Sequence, residues 1–143
     1  MTGQNNYTCR TKAVERLEKE YEEHGNLIIA FDFDNTIYDY HNAGLDMECT
    51  ISALKKAYEL GLELFCFTAN KDHELVSSVV EKTLGIPVSK QRINSSSLDH
   101  LFVGRKPFYS LLLDDRAGLD SSLRTLNQLI FFIMSLQEAN KSV

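Results

Sequence analysis

The sequence has little cysteine, no long apolar run and no internal repeat, and each absence narrows what the protein can be. Three cysteines among 143 residues, without the spacing of a metal site, predict no disulfide framework and favour a reducing compartment. No apolar run approaches the roughly 18 residues of a transmembrane helix, and the polar start MTGQNNYTCR does not resemble a secretion signal. We therefore expect a cytoplasmic protein that does not bind membranes.

An excess of basic charge is also lacking. The formal net charge of −5 argues against a general affinity for nucleic acid, although it is compatible with a local basic patch. Linkers and low-complexity segments are absent from the sequence as well. The chain is therefore predicted to be one domain, 1–143, with an N-terminal helical part (1–25), a motif-bearing core (26–118) and a C-terminal helix (119–143).

Helix-like and strand-like segments alternate along the chain. Apolar periodicity predicts helices at 11–24, 46–60, 72–84 and 119–139, and continuous apolar runs predict strands at 27–33, 62–67 and 109–113, with a short further strand within 86–93. Strands that are apolar on both faces are typical of a parallel sheet covered by helices. The predicted class is α/β, a three-layer α/β/α Rossmann-like parallel sheet.

Polar residues follow three of the predicted strands. They are Asp32, Asp34, Thr68, Asn70, Asp114 and Asp115. The carboxyl ends of parallel strands meet at one edge of the sheet, where ligands bind in open α/β folds. Converging carboxylates repel one another unless a cation lies between them, and an all-oxygen cluster suits Mg²⁺ with room for a phosphate. Lys106, just upstream of the last strand, could add a positive charge.

Four segments resemble, in order, the four motifs of the haloacid dehalogenase superfamily. DFDNT (32–36) resembles motif I, and FTAN (67–70) resembles motif II. GRKPFYSLLLDDRAG (104–118) resembles the motif III lysine followed by the apolar strand and paired aspartates of motif IV. The resemblance implies a phosphohydrolase that requires Mg²⁺ and acts on phosphomonoesters through an aspartyl-phosphate.

The resemblance also implies roles for individual residues. Asp32 would be the nucleophile, and Asp34 would protonate the leaving oxygen and later deprotonate the water. Mg²⁺ would be held by Asp32, the backbone carbonyl of Asp34 and Asp115, with Asp114 bound through water or serving a structural role.

Phosphate binding is assigned by the same resemblance. Thr68 and Lys106 would stabilise the phosphoryl oxygens, and Asn70 would line the phosphate pocket. Lys90 is the alternative motif III lysine. Thr36 is interpreted as a turn-stabilising hydroxyl.

The sequence leaves open the substrate and one alternative function. Predicted helices and strands fill the intervals between the motifs, so no cap domain is expected. An uncovered site suits a large phosphorylated substrate such as a nucleic-acid end or a phosphoprotein, and a nucleotide is a further candidate. The alternative is a non-catalytic, metal-binding regulatory module that keeps the same fold.

The last predicted helix carries more apolar surface than one face requires. In LNQLIFFIMSL, apolar residues are spread around the helix rather than confined to one side. Either the fold wraps this helix or the helix forms a homodimer contact.

Overall fold

The computed structural model describes residues 10–101, 104 and 106–141. The elements, in chain order, are helix α1 (Arg10–His24), strand β1 (Ile28–Phe31), α2 (Glu48–Glu59), β2 (Glu63–Cys66), α3 (His73–Leu84), β3 (Leu111–Leu113) and α4 (Leu119–Lys141). Short 3-10 helices, Val88–Lys90 and Asp99–Leu101, lie between α3 and β3. Positions 1–9, 142 and 143 of the predicted domain, and 102, 103 and 105 of its core, lie outside the described residues.

Local sequence signals explain where α3 begins and ends. The Asp72 side chain accepts a hydrogen bond from the backbone N–H of Leu75 (3.1 Å), which caps the first turn. Gly85 closes the helix with φ of 74°, a left-handed conformation that residues with a Cβ adopt only at a cost. The helix therefore returns the chain to the sheet at Ile86.

The three strands form one parallel sheet in the order β2-β1-β3. Phe31 of β1 lies opposite Cys66 on one side and Leu113 on the other. The ladder continues beyond the strand ends, since Asp32 N donates to Leu113 O (2.8 Å) and Phe67 N donates to Phe31 O (2.8 Å). The residues after the three strands are thereby held at the same edge.

The prediction of a further strand within 86–93 is wrong. Pro87 leads into the 3-10 helix, and only Ile93 pairs with the sheet, through one isolated parallel bridge to Cys66. The Gln91 side chain donates to the backbone carbonyls of Ser77 and Ile86, which holds the segment in a turn rather than an extended strand. The apolar residues that suggested a strand serve packing instead, because Ile86 is buried in the core.

The two faces of the sheet are covered differently. Ile29, Phe31 and Leu113 face a large core cluster to which all four described helices contribute buried residues. The opposite face carries a smaller cluster of Ile28, Ala30 and Phe65, and the partly buried side chains packed against it are Phe67, Leu98, Phe108, Tyr109 and Leu112. The predicted α/β class with a parallel sheet is confirmed. The three-layer arrangement, with helices on both faces of the sheet, is not confirmed, because the described helices pack on one face of the sheet.

Candidate functional site

A cleft of about 500 Å³ lies at the carboxyl edge of the sheet. Side chains from the ends of all three strands meet there. The lining residues are Asp32, Asp34, Asn35, Phe67, Thr68, Ala69, Asn94, Asp114, Asp115 and Arg116. The structure thus brings together five of the residues that the sequence analysis selected, namely Asp32, Asp34, Thr68, Asp114 and Asp115.

Three carboxylates crowd one side of the cleft. One oxygen each from Asp32, Asp114 and Asp115 lies within 4.8 Å of the other two. The pKa of Asp32 is raised to about 7, chiefly because burial desolvates its carboxylate and further because it is hydrogen-bonded to Asp115 and lies close to the charge of Asp114. A cation held among these oxygens would offset both the desolvation of Asp32 and the repulsion between the carboxylates, so the donor set fits a hard divalent ion.

A tight turn after β1 positions the first of these carboxylates. Asn35 takes a left-handed conformation with φ of 62°, which lets its N–H bond to the carbonyl of Tyr38 (2.7 Å). The turn buries Thr36 completely, and the Thr36 hydroxyl lies 3.4 Å from Asp32 Oδ2 as a donor. The Thr36 hydroxyl oxygen in turn accepts a hydrogen bond from the backbone N–H of Asp115 (3.2 Å). Thr36 therefore links the β1 turn to the aspartates after β3, a role wider than the predicted turn stabilisation.

Asp34 stands apart from the group of three carboxylates. It lines the cleft, and its Oδ1 accepts a long hydrogen bond from the side-chain amide of Asn70 (3.4 Å). Asn70 itself is not among the lining residues, although it was predicted to bind phosphate. Asn70 also donates its backbone N–H to the Thr68 hydroxyl (3.0 Å). Its observed contacts therefore orient Asp34 and Thr68.

Thr68 is held by a residue that sequence reasoning missed. Asn94 Oδ1 accepts the N–H of Thr68 (2.8 Å), and Asn94 Nδ2 donates to the Thr68 carbonyl (2.9 Å). The backbone N–H of Asn94 donates to the carbonyl of Cys66 (2.8 Å). The side-chain amide thus replaces a neighbouring strand at the point where β2 ends. The sequence signal that could have pointed to Asn94 is its residue type, because asparagine tolerates a left-handed backbone, and Asn94 has φ of 57°.

The basic side chains lie differently from the acidic ones with respect to the cleft. Arg116, which was not selected from the sequence, lines the cleft. Lys106 is exposed, with its Nζ 5.5 Å from the centroid of the Tyr109 ring. That ring lies 6.3 Å from the ring of Phe67, which does line the cleft. Lys90 is exposed at the end of its 3-10 helix. The lining side chains that the structure describes include neither lysine.

Across the described ranges, no helix has both the length and the apolarity needed to cross a membrane. Comparison of the chain with family models, with curated proteins and with solved structures found no match.

Proposed function

We propose that the chain is a Mg²⁺-dependent phosphohydrolase acting on phosphomonoesters through an aspartyl-phosphate on Asp32. One observation carries the proposal: Asp32, Asp34 and Thr68 share a single cleft with the Asp114–Asp115 pair at the carboxyl edge of a parallel sheet. Together these side chains would supply a nucleophile, an acid-base group, a hydrogen-bond donor for phosphoryl oxygens and a set of metal ligands. These residues belong to segments that resemble, in the same order along the chain, the motifs of the haloacid dehalogenase superfamily.

The metal ligands would be the three clustered carboxylates, with the backbone carbonyl of Asp34 as a further oxygen donor. The short distances among the three carboxylates and the raised pKa of Asp32 support this assignment. Both show that ionised carboxylates crowded here cost free energy in the absence of a cation. When bound, Mg²⁺ would supply positive charge that screens the attacking carboxylate from the phosphoryl oxygens.

Chemistry at the phosphorus would involve Asp32 and Asp34. A carboxylate oxygen of Asp32 forms the new bond to phosphorus, and the bond to the leaving oxygen breaks. Protonated Asp34 gives its proton to that leaving oxygen, and the resulting carboxylate then takes a proton from the water that attacks the aspartyl-phosphate. This second attack returns Asp32 as a carboxylate and releases inorganic phosphate.

Thr68 suits the stabilisation of phosphoryl oxygens. Its hydroxyl already accepts the N–H of Asn70, so its own hydrogen remains available as a donor. The clamp from Asn94 fixes the backbone of Thr68 before substrate arrives. Such preorganised donors contribute more to the transition state than donors that must reorient.

The decisive experiment is hydrolysis of an aryl phosphate with and without Mg²⁺. We expect turnover that requires Mg²⁺ and falls by at least about 10³-fold in Asp32→Asn, because the amide cannot act as the nucleophile. Asp72→Asn is the matched control, since it makes the same change at a helix cap outside the cleft and asparagine also caps helices well. Undiminished turnover in Asp32→Asn would contradict the proposed nucleophile.

The lysine assignment needs its own comparison. We expect Lys106→Met to lower kcat/KM by about tenfold or more, through loss of a charge that stabilises the phosphoryl oxygens, and Lys90→Met to leave it unchanged. Arg116→Met completes the set because Arg116 lines the cleft. A larger loss in Arg116→Met than in Lys106→Met would transfer the role to the arginine.

The alternative function is a metal-binding regulatory module without turnover. The position of Lys106 over Tyr109, outside the described cleft lining, favours this alternative. Asp34→Asn separates the two functions when Mg²⁺ binding and turnover are both measured. An enzyme loses turnover in this variant and retains metal binding, whereas a module binds Mg²⁺ in both proteins and hydrolyses nothing in either.

A further inference from the structure

The outer face of α4 exposes a large aromatic side chain. The inner face packs Leu126, Leu129 and Ile133 into the core, while Phe131 is 74% exposed and Met134 is 42% exposed. Small side chains at Ser135 and Ala139 leave a shallow depression of about 460 Å³ beside the Phe131 ring. A single exposed apolar residue is normal on a protein surface, but this one lies among charged residues of the same helix.

Charged residues lie in line with Phe131. An α-helix turns by about 100° per residue, so Asp120, Arg124 and Glu138 all lie within about 20° of the direction of Phe131. Asp120 and Arg124 form a salt bridge of 3.2 Å along this line. The result is a straight exposed stripe with an aromatic residue between charges of both signs.

The order of these charges is self-complementary in one orientation. In an antiparallel pair of α4 helices centred on Phe131, Arg124 lies opposite Glu138 of the second copy. Two-fold symmetry repeats this pair on the other side of the axis. A parallel pair would instead place each charge opposite the same charge, which is unfavourable. The stripe therefore fits a second copy of this chain in antiparallel orientation.

We infer that the protein forms a two-fold symmetric homodimer through antiparallel packing of α4, with one Phe131 ring on either side of the axis. The depression bounded by Ser135 and Ala139 receives the ring of the second copy. Because a single helix pair is a small contact compared with the roughly 1,200 Å² or more of a standard stable interface, we expect the dimer to dissociate on dilution. The inference is independent of the proposed function, since no residue of the stripe lines the cleft.

The test is sedimentation velocity of the full chain over a wide concentration range. We expect a reversible monomer–dimer equilibrium in the wild type and a dissociation constant raised by at least about 30-fold in Phe131→Glu, since buried aromatic residues dominate such interfaces. Val88→Glu is the matched control because Val88 is an apolar residue of comparable exposure, 54%, away from α4. It should leave the equilibrium unchanged.

A charge exchange tests the orientation separately from the apolar contact. Arg124→Glu should raise the dissociation constant about fivefold, because it places like charges opposite each other twice per dimer. Adding Glu138→Arg should restore most of the affinity. Thermal unfolding followed by circular dichroism checks that each variant folds.

Each outcome supports the inference or overturns it. A wild type that stays monomeric at the highest concentration overturns it, as does a dimer that Phe131→Glu leaves intact. A dimer that Phe131→Glu disrupts but that Arg124→Glu does not weaken overturns the antiparallel register. Loss in both single variants with recovery in the charge-exchanged double variant supports it.

Discussion

The two sides of the cleft are held by opposite physical means. The acid side consists of Asp32, Thr36, Asp114 and Asp115, and its two hydrogen bonds through the Thr36 hydroxyl are long, at 3.4 and 3.2 Å. The amide side consists of Thr68, Asn70 and Asn94, which are neutral and joined by hydrogen bonds of 2.8 to 3.0 Å. One side concentrates like charges, while the other satisfies its polar groups internally.

This difference shows which part of the cleft depends on a ligand. On the acid side each additional ionised carboxylate opposes the next, so the arrangement costs free energy until a cation binds. On the amide side the donors and acceptors pair with each other, so the geometry exists before any ligand arrives. The acid side should therefore respond to pH and Mg²⁺, and the amide side should respond to neither.

The largest expected difference is the pH dependence of the metal-free protein. The folded protein keeps on Asp32, with its pKa of about 7, a proton that the unfolded chain loses near the ordinary value of 3.8. The melting temperature should therefore fall as pH rises from about 4 to about 7 and level off above that. Saturating Mg²⁺ should largely abolish the fall, because the cation stabilises the ionised form.

The matched variant for this measurement is Asp32→Asn, which cannot ionise and should lack most of the slope. The pKa of Asp99 is lowered because its carboxylate accepts the N–H groups of Phe108 and Ser96, so its contribution to stability is lost in a separate window as pH falls through the lowered pKa. A slope between pH 4 and 7 that persists in Asp32→Asn would contradict the contrast between the two sides.

A smaller effect is expected from the amide side. Asn94→Gly keeps the left-handed backbone but removes both side-chain hydrogen bonds to Thr68, which should cost about 2 kcal/mol in the free energy of unfolding. Urea unfolding monitored by circular dichroism measures this loss, which should be the same with and without Mg²⁺. Turnover should also fall, because Thr68 is no longer fixed.

Asn42→Gly controls for the backbone effect of the new glycine. Asn42 has a similar left-handed φ of 51° but lies exposed in the loop before α2. It should lose much less stability than Asn94→Gly. Equal losses in the two variants would show that the amide clamp contributes little.

The smallest expected effect lies where Thr36 joins β1 to the acidic pair. Thr36→Val keeps the shape and removes the hydroxyl, which should cost about 1 kcal/mol of stability and weaken Mg²⁺ binding, as measured by calorimetric titration. Thr125→Val changes a buried threonine of α4 outside the cleft and should leave Mg²⁺ affinity unaltered. Unchanged Mg²⁺ affinity in Thr36→Val would mean that the acid side is positioned by the strands alone.

Sequence reasoning succeeded where a signal is local and regular. The apolar run before Asp32 and the run before Asp114 predicted strands, and parallel pairing then required their ends to share an edge. It failed at 86–93, where apolar residues in a turn resemble a short strand. Asn94 could not be found, because its role depends on reaching across to Thr68 in the folded chain.

The sequence by itself determined the alternation of helices and strands and the acidic residues that end them, because apolar periodicity and strand polarity are properties of neighbouring residues. The tertiary structure decided that the described helices pack on one face of the sheet, that Asn94 clamps Thr68, that Arg116 lines the cleft and that Lys106 lies over Tyr109. These features join residues distant in the chain. Their positions depend on how whole elements pack, which no local pattern specifies.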